Sequence, residues 1–564
     1  MPIIAARAGG IGFHELSPRE RLSALLDDGE CTELVGPFDR IGSPWLLQQG
    51  LVPQSDDGVV VVRGAVDGHA VVGIAIEGTF EGGSIGEVGG AKIATALELA
   101  TEACRRGQPT AALLLLESGG VRLQEATLGL ATIAAIQSAI IELREWAPVI
   151  AIIAGPVGCF GGMSLAATLC TYIIGTPHGR LSMNGPEVIE QEAGPDELDA
   201  GDRELIWQIA GCEARLRDGW IDALVQDDSL AVSSALREAM AHGPQTPVRS
   251  TQPLEHLRRL RTELKDSELC SERTGPASGR ACVWLERLSA GVVRQSFETP
   301  SILTAEMNFP PTGEQALAIA IVPDAGSRLP RASAGELGLE QAWALAACID
   351  QFIADEQKAG TRRPIIAIVD TPGQAYGRTE EARCISVGAA SAVDAYVRAR
   401  RAGHPVLTLV VGRAVSGAFL AHGLQSDHIF ALANHGVTMC AMNAEAMARI
   451  TRRTLAEAEA AAAATLPMSF AIWDAHRLGV IDTLIEGVDA DDPSPEDLAE
   501  VKSRLNEALV SFGRGQVSRL SILDNPYRQS TNRVRQAMRE QWTSGADMST
   551  KARVVGCDDQ MAKV

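Results

Sequence analysis

The chain has 564 residues, 46% hydrophobic and 21% charged, enough apolar material for two or three cores and too much for a disordered chain. Its formal net charge of -21, from 50 basic and 71 acidic residues, argues against a broad nucleic-acid surface. The 11 cysteines show no C-x-x-C spacing, so neither a zinc ribbon nor a disulfide framework is indicated, and reduced thiols in a cytoplasm are the simplest expectation.

The N-terminus, MPIIAARAGGIGFHEL, has no charged region followed by a long apolar core, so no secretory signal is expected. GEVGGAKIATALELATEA, from Gly86, reads as a turn followed by an alanine-rich helix. ALLLLESGGVRLQEA, from Ala112, reads as a buried strand ending in a polar turn, and the helix after it ends near Trp146. From Ala147 to Pro177 no residue is charged, a length that could span a bilayer. Gly155-Pro156, Gly158 and Gly161-Gly162 break that run into a buried strand, a turn and a buried helix, so no membrane is expected. Residues 1–242 form the first domain on this reading. Residues 243–282, with GPQTPVRSTQP and SERTGPASGR around a short charged helix (Leu254–Lys265), have the composition of a linker.

The second domain, 283–488, repeats the first. GELGLEQAWALAACIDQF, IIAIVDTPGQAYGRTEE, a helix ending near Ala402, VLTLVVGRAVSGAFLAHG and GVIDTLI follow the order of their first-half counterparts, offset by about 250 residues. Beyond Asp489, DADDPSPEDLAE leads into a helical tail, residues 489–564. Its locally basic PYRQSTNRVRQAMREQW reads as a solvated helix, with an anionic partner site as the weaker alternative.

In both halves an apolar strand passes through a glycine turn into a helix. A helix start presents backbone N–H groups, and glycine allows a ligand to approach them. Two such donors on one point make an oxyanion hole. The candidates are Gly161-Gly162 and Gly417-Ala418; the competing role for these glycines is tight helix–strand packing. Gly89–Lys92 lacks the ending of a phosphate loop, and no G-x-S-x-G elbow occurs. Ser164 and Ser416 read as helix-start residues. His178 and His435 read as loop residues that could reach a substrate, and no spacing indicates a metal site.

FEGGSIGEVGGAKI (Phe80–Ile93), LESGGVRLQEA (Leu116–Ala126) and AGPVGCFGGMSLAAT (Ala154–Thr168) resemble the N-terminal half of acyl-CoA carboxyltransferases. VDTPGQAYGRTEEA (Val369–Ala382) and VGRAVSGAFLAHG (Val411–Gly423) resemble the C-terminal half, and together these blocks cover most of residues 60–485. With RLSMNGPEVIEQEAGPDELDAGDRELIWQIAG (Arg180–Gly211) included, the chain more closely resembles biotin-independent malonate decarboxylase, its beta and gamma subunits fused. No Met-Lys-Met biotin attachment site is present.

The resemblance implies an α/β fold of two tandem crotonase-like domains built of repeated β-β-α units, their glycine turns facing one active site. It implies decarboxylation of a malonyl thioester to CO2 and the acetyl thioester. The substrate would ride on an acyl carrier protein subunit through a phosphoribosyl-dephospho-CoA arm, with no cofactor bound directly. An acyl-transferase subunit would load it, and the unit could pair as a homo-oligomer. The Gly161 and Gly162 N–H groups would meet the enolate oxygen, while those of Gly417 and Ala418 would orient the leaving carboxylate or bound CO2. Ser118, Gly119, Gly120, Thr371, Pro372, Gly373, Ser416, His178 and His435 would contact substrate. Glu117, Ser118 and Gln124 would shape the first loop; Arg122 would meet an anionic part of the arm or form a structural ion pair. The proton donor stays open between His178, His435 and water. Alternatives are a biotin-dependent carboxyltransferase and a non-catalytic carrier-binding scaffold.

Overall fold

The computed structural model describes residues 11–244, 248–265, 279–289, 291–309, 313–450, 452–513 and 525–544. The first ten residues, the linker stretches 245–247 and 266–278, and the tail beyond 544 lie outside the described residues.

Two mixed sheets organise the chain. The first runs in sequence order through β1 (Thr32–Glu33), β2 (Val59–Val66), β3 (His69–Ile76), β4 (Ala111–Leu115), β5 (Val149–Ile153), β6 (Tyr172–Gly175) and β7 (Ala223–Leu224). β1, β2 and β3 pair antiparallel; from β3 onward every pairing is parallel. The second holds β8 (Arg294–Ser296), β9 (Thr299–Phe309), β10 (Glu314–Ile321), β11 (Ile365–Thr371), β12 (Val406–Val415), β13 (His428–Leu432), β14 (Thr438–Cys440) and β15 (Thr483–Ile485). It repeats the plan: an antiparallel hairpin, β9–β10, followed by parallel strands. Each hairpin leads into a long crossover helix, Glu87–Arg105 in the first half and Leu339–Ala359 in the second, giving the β-β-α repeat.

Parallel strands covered on both faces must be apolar throughout, which is why β4 and β5 read as AALLL and VIAII, buried at every position. The uncharged run from Ala147 to Pro177 resolves into β5, the helix Gly161–Leu169 and β6, as its glycines require. Among the described residues one helical stretch, Leu123–Leu143, is long and apolar enough to cross a membrane, but 78% of its apolar window is buried inside the protein.

The halves are joined through buried polar contacts. Arg144 donates to Asp394 at 2.6 Å, and Ser250, from the connecting segment, donates to the same carboxylate at 2.6 Å. The Ser164 and Ser386 hydroxyls meet at 2.8 Å. The connecting helix, Pro253–Lys265, buries Leu257, Leu260 and Leu264 in the core, so this part of the linker is packed.

The basic tail is not a solvated helix. Helix Gln529–Ser544 packs on helix Glu87–Arg105 of the first half and buries Val534, Met538 and Trp542. Arg535 pairs with Glu98 at 2.5 Å and Arg539 with Glu102 at 2.9 Å. Arg535 and Arg539 are thus spent on the chain's own acidic side chains.

Candidate active site

The two strand–turn–helix units face each other across a cleft of about 900 Å³. Val121 and Gly162 of the first half line it, as do Gln374, Tyr376 and Gly417 of the second. The helices Ala444–Ile450 and Leu455–Ala464 add Met447 and Ala461 to its wall.

The first-half turns touch backbone to backbone. Gly161 has φ +57° and Gly120 φ +98°, and a Cβ added to Gly161 would lie 3.0 Å from the Gly120 Cα and 3.9 Å from the Val121 nitrogen. Only glycine meets both the positive φ and the contact without strain. Most of the N–H groups here are already committed. Gly119 donates to Gly82 O at 2.9 Å, Gly120 to Ser118 Oγ at 3.1 Å, and Gly161 to Met183 O at 2.9 Å. The expectation that Gly161 is a free donor is therefore corrected: its N–H anchors the turn. The Val121 and Gly162 N–H groups have no partner among the described residues. Gly162 sits in the first turn of its helix, where N–H groups have no intrahelical acceptor. Val121 was missed because a valine advertises nothing; the signal was its place directly after the Ser-Gly-Gly turn.

The second-half turn is differently wired. Ser416, in the left-handed region at φ 54°, lines the cleft with Gly417. The Gly417 N–H donates to Gln374 Oε1 at 3.0 Å, and Gln374 Nε2 donates to Asn184 Oδ1 at 2.8 Å. A buried donor must be paired, and here a side chain of the same half pairs it. So Gly417 is not a free donor, again against expectation. Ala418 is fully buried and lies off the cleft wall.

Arg122 settles into the ion-pair alternative. It is buried, 2.7 Å from Asp57 and 2.9 Å from Glu125, and donates to Ser84 O at 3.0 Å, fixing the loop that carries Val121. Burial, then the nearby Asp57 charge, push the Glu125 carboxyl up to about 7. Glu117 is held by Arg21 at 2.7 Å. Gln124 lines the cleft and Ser118 is buried behind it.

Of the remaining expected contacts Gly119 lines the cleft and the others lie off its wall. Thr371, Pro372 and Gly373 close the end of β11 and do not line it; Gly373 O accepts the Leu337 N–H at 2.9 Å. His178 is half exposed, stacks on His14 at 4.3 Å and lies 3.8 Å from Asp227. His14, His178 and Asp227 thus converge from distant positions, which no spacing rule could detect. His435 packs against Trp473, ring centroids 5.1 Å apart. Neither histidine reaches the cleft, whereas Tyr376 does. Burial pushes its phenol well up, so the hydroxyl is protonated at neutral pH.

Residues 15–273 match the carboxyl transferase domain family, and residues 332–542 match the malonate decarboxylase gamma subunit family. The chain is 41% identical over 209 residues to malonyl-S-ACP:biotin-protein carboxyltransferase MADC of Malonomonas rubra, covering 35% of this chain and 66% of that protein. It is 39% identical over 166 residues to MADD of the same organism, covering 29% of this chain and 56% of that protein. The chain thus spans less than two thirds of either curated relative. A chain of the Pseudomonas malonate decarboxylase hetero-tetramer in complex with malonate is 54% identical, covering 47% of this chain and 94% of that one, with a TM-score of 0.45. In the complex of that hetero-tetramer with coenzyme A, a chain is 40% identical, covering 47% of this chain and 100% of that one, also with a TM-score of 0.45.

Proposed function

We propose that this chain, whose residues 15–273 match the carboxyl transferase domain family and residues 332–542 the malonate decarboxylase gamma subunit family, joins a beta-type and a gamma-type half of a malonate decarboxylase in one polypeptide and decarboxylates a malonyl thioester to the acetyl thioester and CO2. The carrying observation is the pair of uncommitted N–H groups, Val121 and Gly162, on the wall of the cleft between the halves.

In the proposed reaction the bond between the α-carbon and the carboxylate breaks. Its electron pair moves into the thioester, whose oxygen gains negative charge as CO2 leaves. Donors placed where that charge develops lower the barrier, because they bind the transition state more strongly than the ground state. Val121 and Gly162 fill this role, replacing the expected pair Gly161 and Gly162. Fixed loops and a buried ionic scaffold hold them in place, so little reorganisation is needed. The cleft wall near them is largely apolar, with Leu130, Phe160, Met183 and Leu420. Such a wall favours charge spread over an enolate more than a localised carboxylate.

The enolate is quenched by a proton delivered to the α-carbon. Tyr376 is the proposed donor: its hydroxyl is protonated at neutral pH, and an enolate is far more basic than a phenolate. Solvent then restores the phenol. Gly417, tied to Gln374, positions the second wall in this scheme and leaves the carboxylate without a strong anchor. An anchor on the carboxylate would stabilise the ground state and slow its loss.

The proposed substrate is carried on the phosphoribosyl-dephospho-CoA arm of an acyl carrier protein subunit and loaded by an acyl-transferase subunit, in a cytoplasmic complex. The test is CO2 release from a malonyl-carrier thioester by the purified chain with avidin present. Avidin-insensitive release is expected. No release with the carrier substrate would sink the decarboxylase reading and leave biotin-dependent carboxyl transfer, which needs a separate biotin carrier, or a binding scaffold.

A further inference from the structure

Glu381 lies on the short helix Arg378–Ala382 of the second half and is fully buried. Its carboxylate serves the first half. It accepts the Ser182 hydroxyl at 2.6 Å, the Asn184 N–H at 2.6 Å and the Met183 N–H at 3.2 Å. A buried carboxylate is costly unless its lone pairs are satisfied, and charge-assisted bonds of this kind are among the stronger ones. Arg215 backs the arrangement: it donates to Leu181 O and to the Glu381 carbonyl, each at 2.8 Å, and its remaining nitrogen lies 3.9 Å from the carboxylate.

The segment gripped by Glu381 is the one that grips the glycine turn. Met183 O accepts the Gly161 N–H at 2.9 Å, and Gly161 directly precedes Gly162. A second link runs alongside. Asn184 Nδ2 donates to Ala375 O at 3.0 Å, and its Oδ1 accepts from Gln374, which caps Gly417. One buried carboxylate from the second half therefore holds residues 182–184, and Met183 in turn holds the turn that leads into Gly162.

We propose that Glu381 is a positioning residue for the first-half donor pair, making the beta-type half competent only when the gamma-type half is docked on it. This rests on the proposed decarboxylase reading, so the test has an arm that needs no substrate. The arm is amide hydrogen exchange across residues 158–164 and 181–185 in the full chain. The other arm is kcat and KM for the malonyl-carrier thioester.

Glu381→Gln places an NH2 group among three donors. Exchange at Gly161 and Met183 should quicken, and kcat should fall about 100-fold, near the loss for one oxyanion donor. KM should stay within about threefold, because substrate binding elsewhere in the cleft is untouched. Ser182→Ala removes one of the three bonds and keeps the carboxylate. It should give a smaller change of the same kind, about three- to tenfold in kcat. If Glu381→Gln does not fold, Ser182→Ala decides the matter. Wild-type exchange at Gly161 in the folded variants, or kcat unchanged, or KM rising as far as kcat falls, would overturn the proposal. An inactive wild-type chain whose exchange responds as described would sink the decarboxylase reading and leave the cross-half linkage standing.

Discussion

Gly161→Ala tests the donor pair through a residue that itself donates nothing to substrate. At φ +57° an alanine pays the left-handed penalty, about 1–2 kcal/mol. Its methyl would also stand 3.0 Å from the Gly120 Cα, where backbone meets backbone and no flexible side chain can yield. The two loops must part by a few tenths of an ångström, carrying Val121 and Gly162 with them. If one donor loses its aim, kcat falls about 10²- to 10³-fold. Gly68 supplies the control: it sits in the exposed β2–β3 turn at φ +75° with nothing within 4 Å of an added Cβ. Gly68→Ala bears the conformational cost alone, so its melting temperature should drop by about 2–4 °C, as expected for a 1 kcal/mol loss in a domain of this size, with kcat intact. Steady-state kinetics and thermal melting on both variants, side by side, separate strain from aim. Equal kcat for Gly161→Ala and Gly68→Ala, both folded, would refute the assignment of the hole to this turn.

Tyr376→Phe should lower kcat by about 10²- to 10⁴-fold, the range for loss of a general acid, with KM little changed; solvent-isotope incorporation into the acetyl product reads the same step. Glu380 gives a pH prediction. Burial pushes this carboxyl up to about 8, against an ordinary 4.5. Between those values the folded chain holds a proton that the unfolded chain has released, so stability falls as pH rises from about 4.5 to about 8, by at most about 1.4 kcal/mol per pH unit. Denaturant titrations across that window should show the slope, and Glu380→Gln should flatten it.

The repeated architecture was legible because parallel strands buried on both faces must be uninterrupted apolar runs, and because the same runs occur twice in the same order. The glycine turns were legible for a related reason: Gly161 and Gly120 are required where two backbones touch at positive φ. The donor pair was legible only in part: Gly162 was expected, whereas Val121 was not, and Gly161 is committed to Met183 O. Which N–H is free depends on the carbonyl or amide that happens to lie opposite, and Met183 and Gln374 come from distant parts of the sequence. Nor could spacing show that His178 and His435 do not line the cleft while Tyr376 does, since loop direction is set by tertiary packing. The basic tail misled in the same way: its charges look solvated until Glu98 and Glu102 are found beside them.

The arrangement of buried charge gives the fusion of the halves a physical meaning. Asp394 of the gamma-type half answers Arg144 of the beta-type half, and Glu381 answers three donors of residues 182–184. Separated halves would expose an arginine, two carboxylates, the Ser182 hydroxyl and two backbone N–H groups that are now dry, and breaking a buried pair is typically costly by about 3–5 kcal/mol. Covalent linkage makes that association intramolecular, so it no longer depends on subunit concentration. The connecting helix Pro253–Lys265 contributes as well, since Ser250 just before it completes the Asp394 cluster. Under this reading the joining segment is part of the interface, and the donor geometry in the cleft inherits its precision from contacts that neither half could make alone.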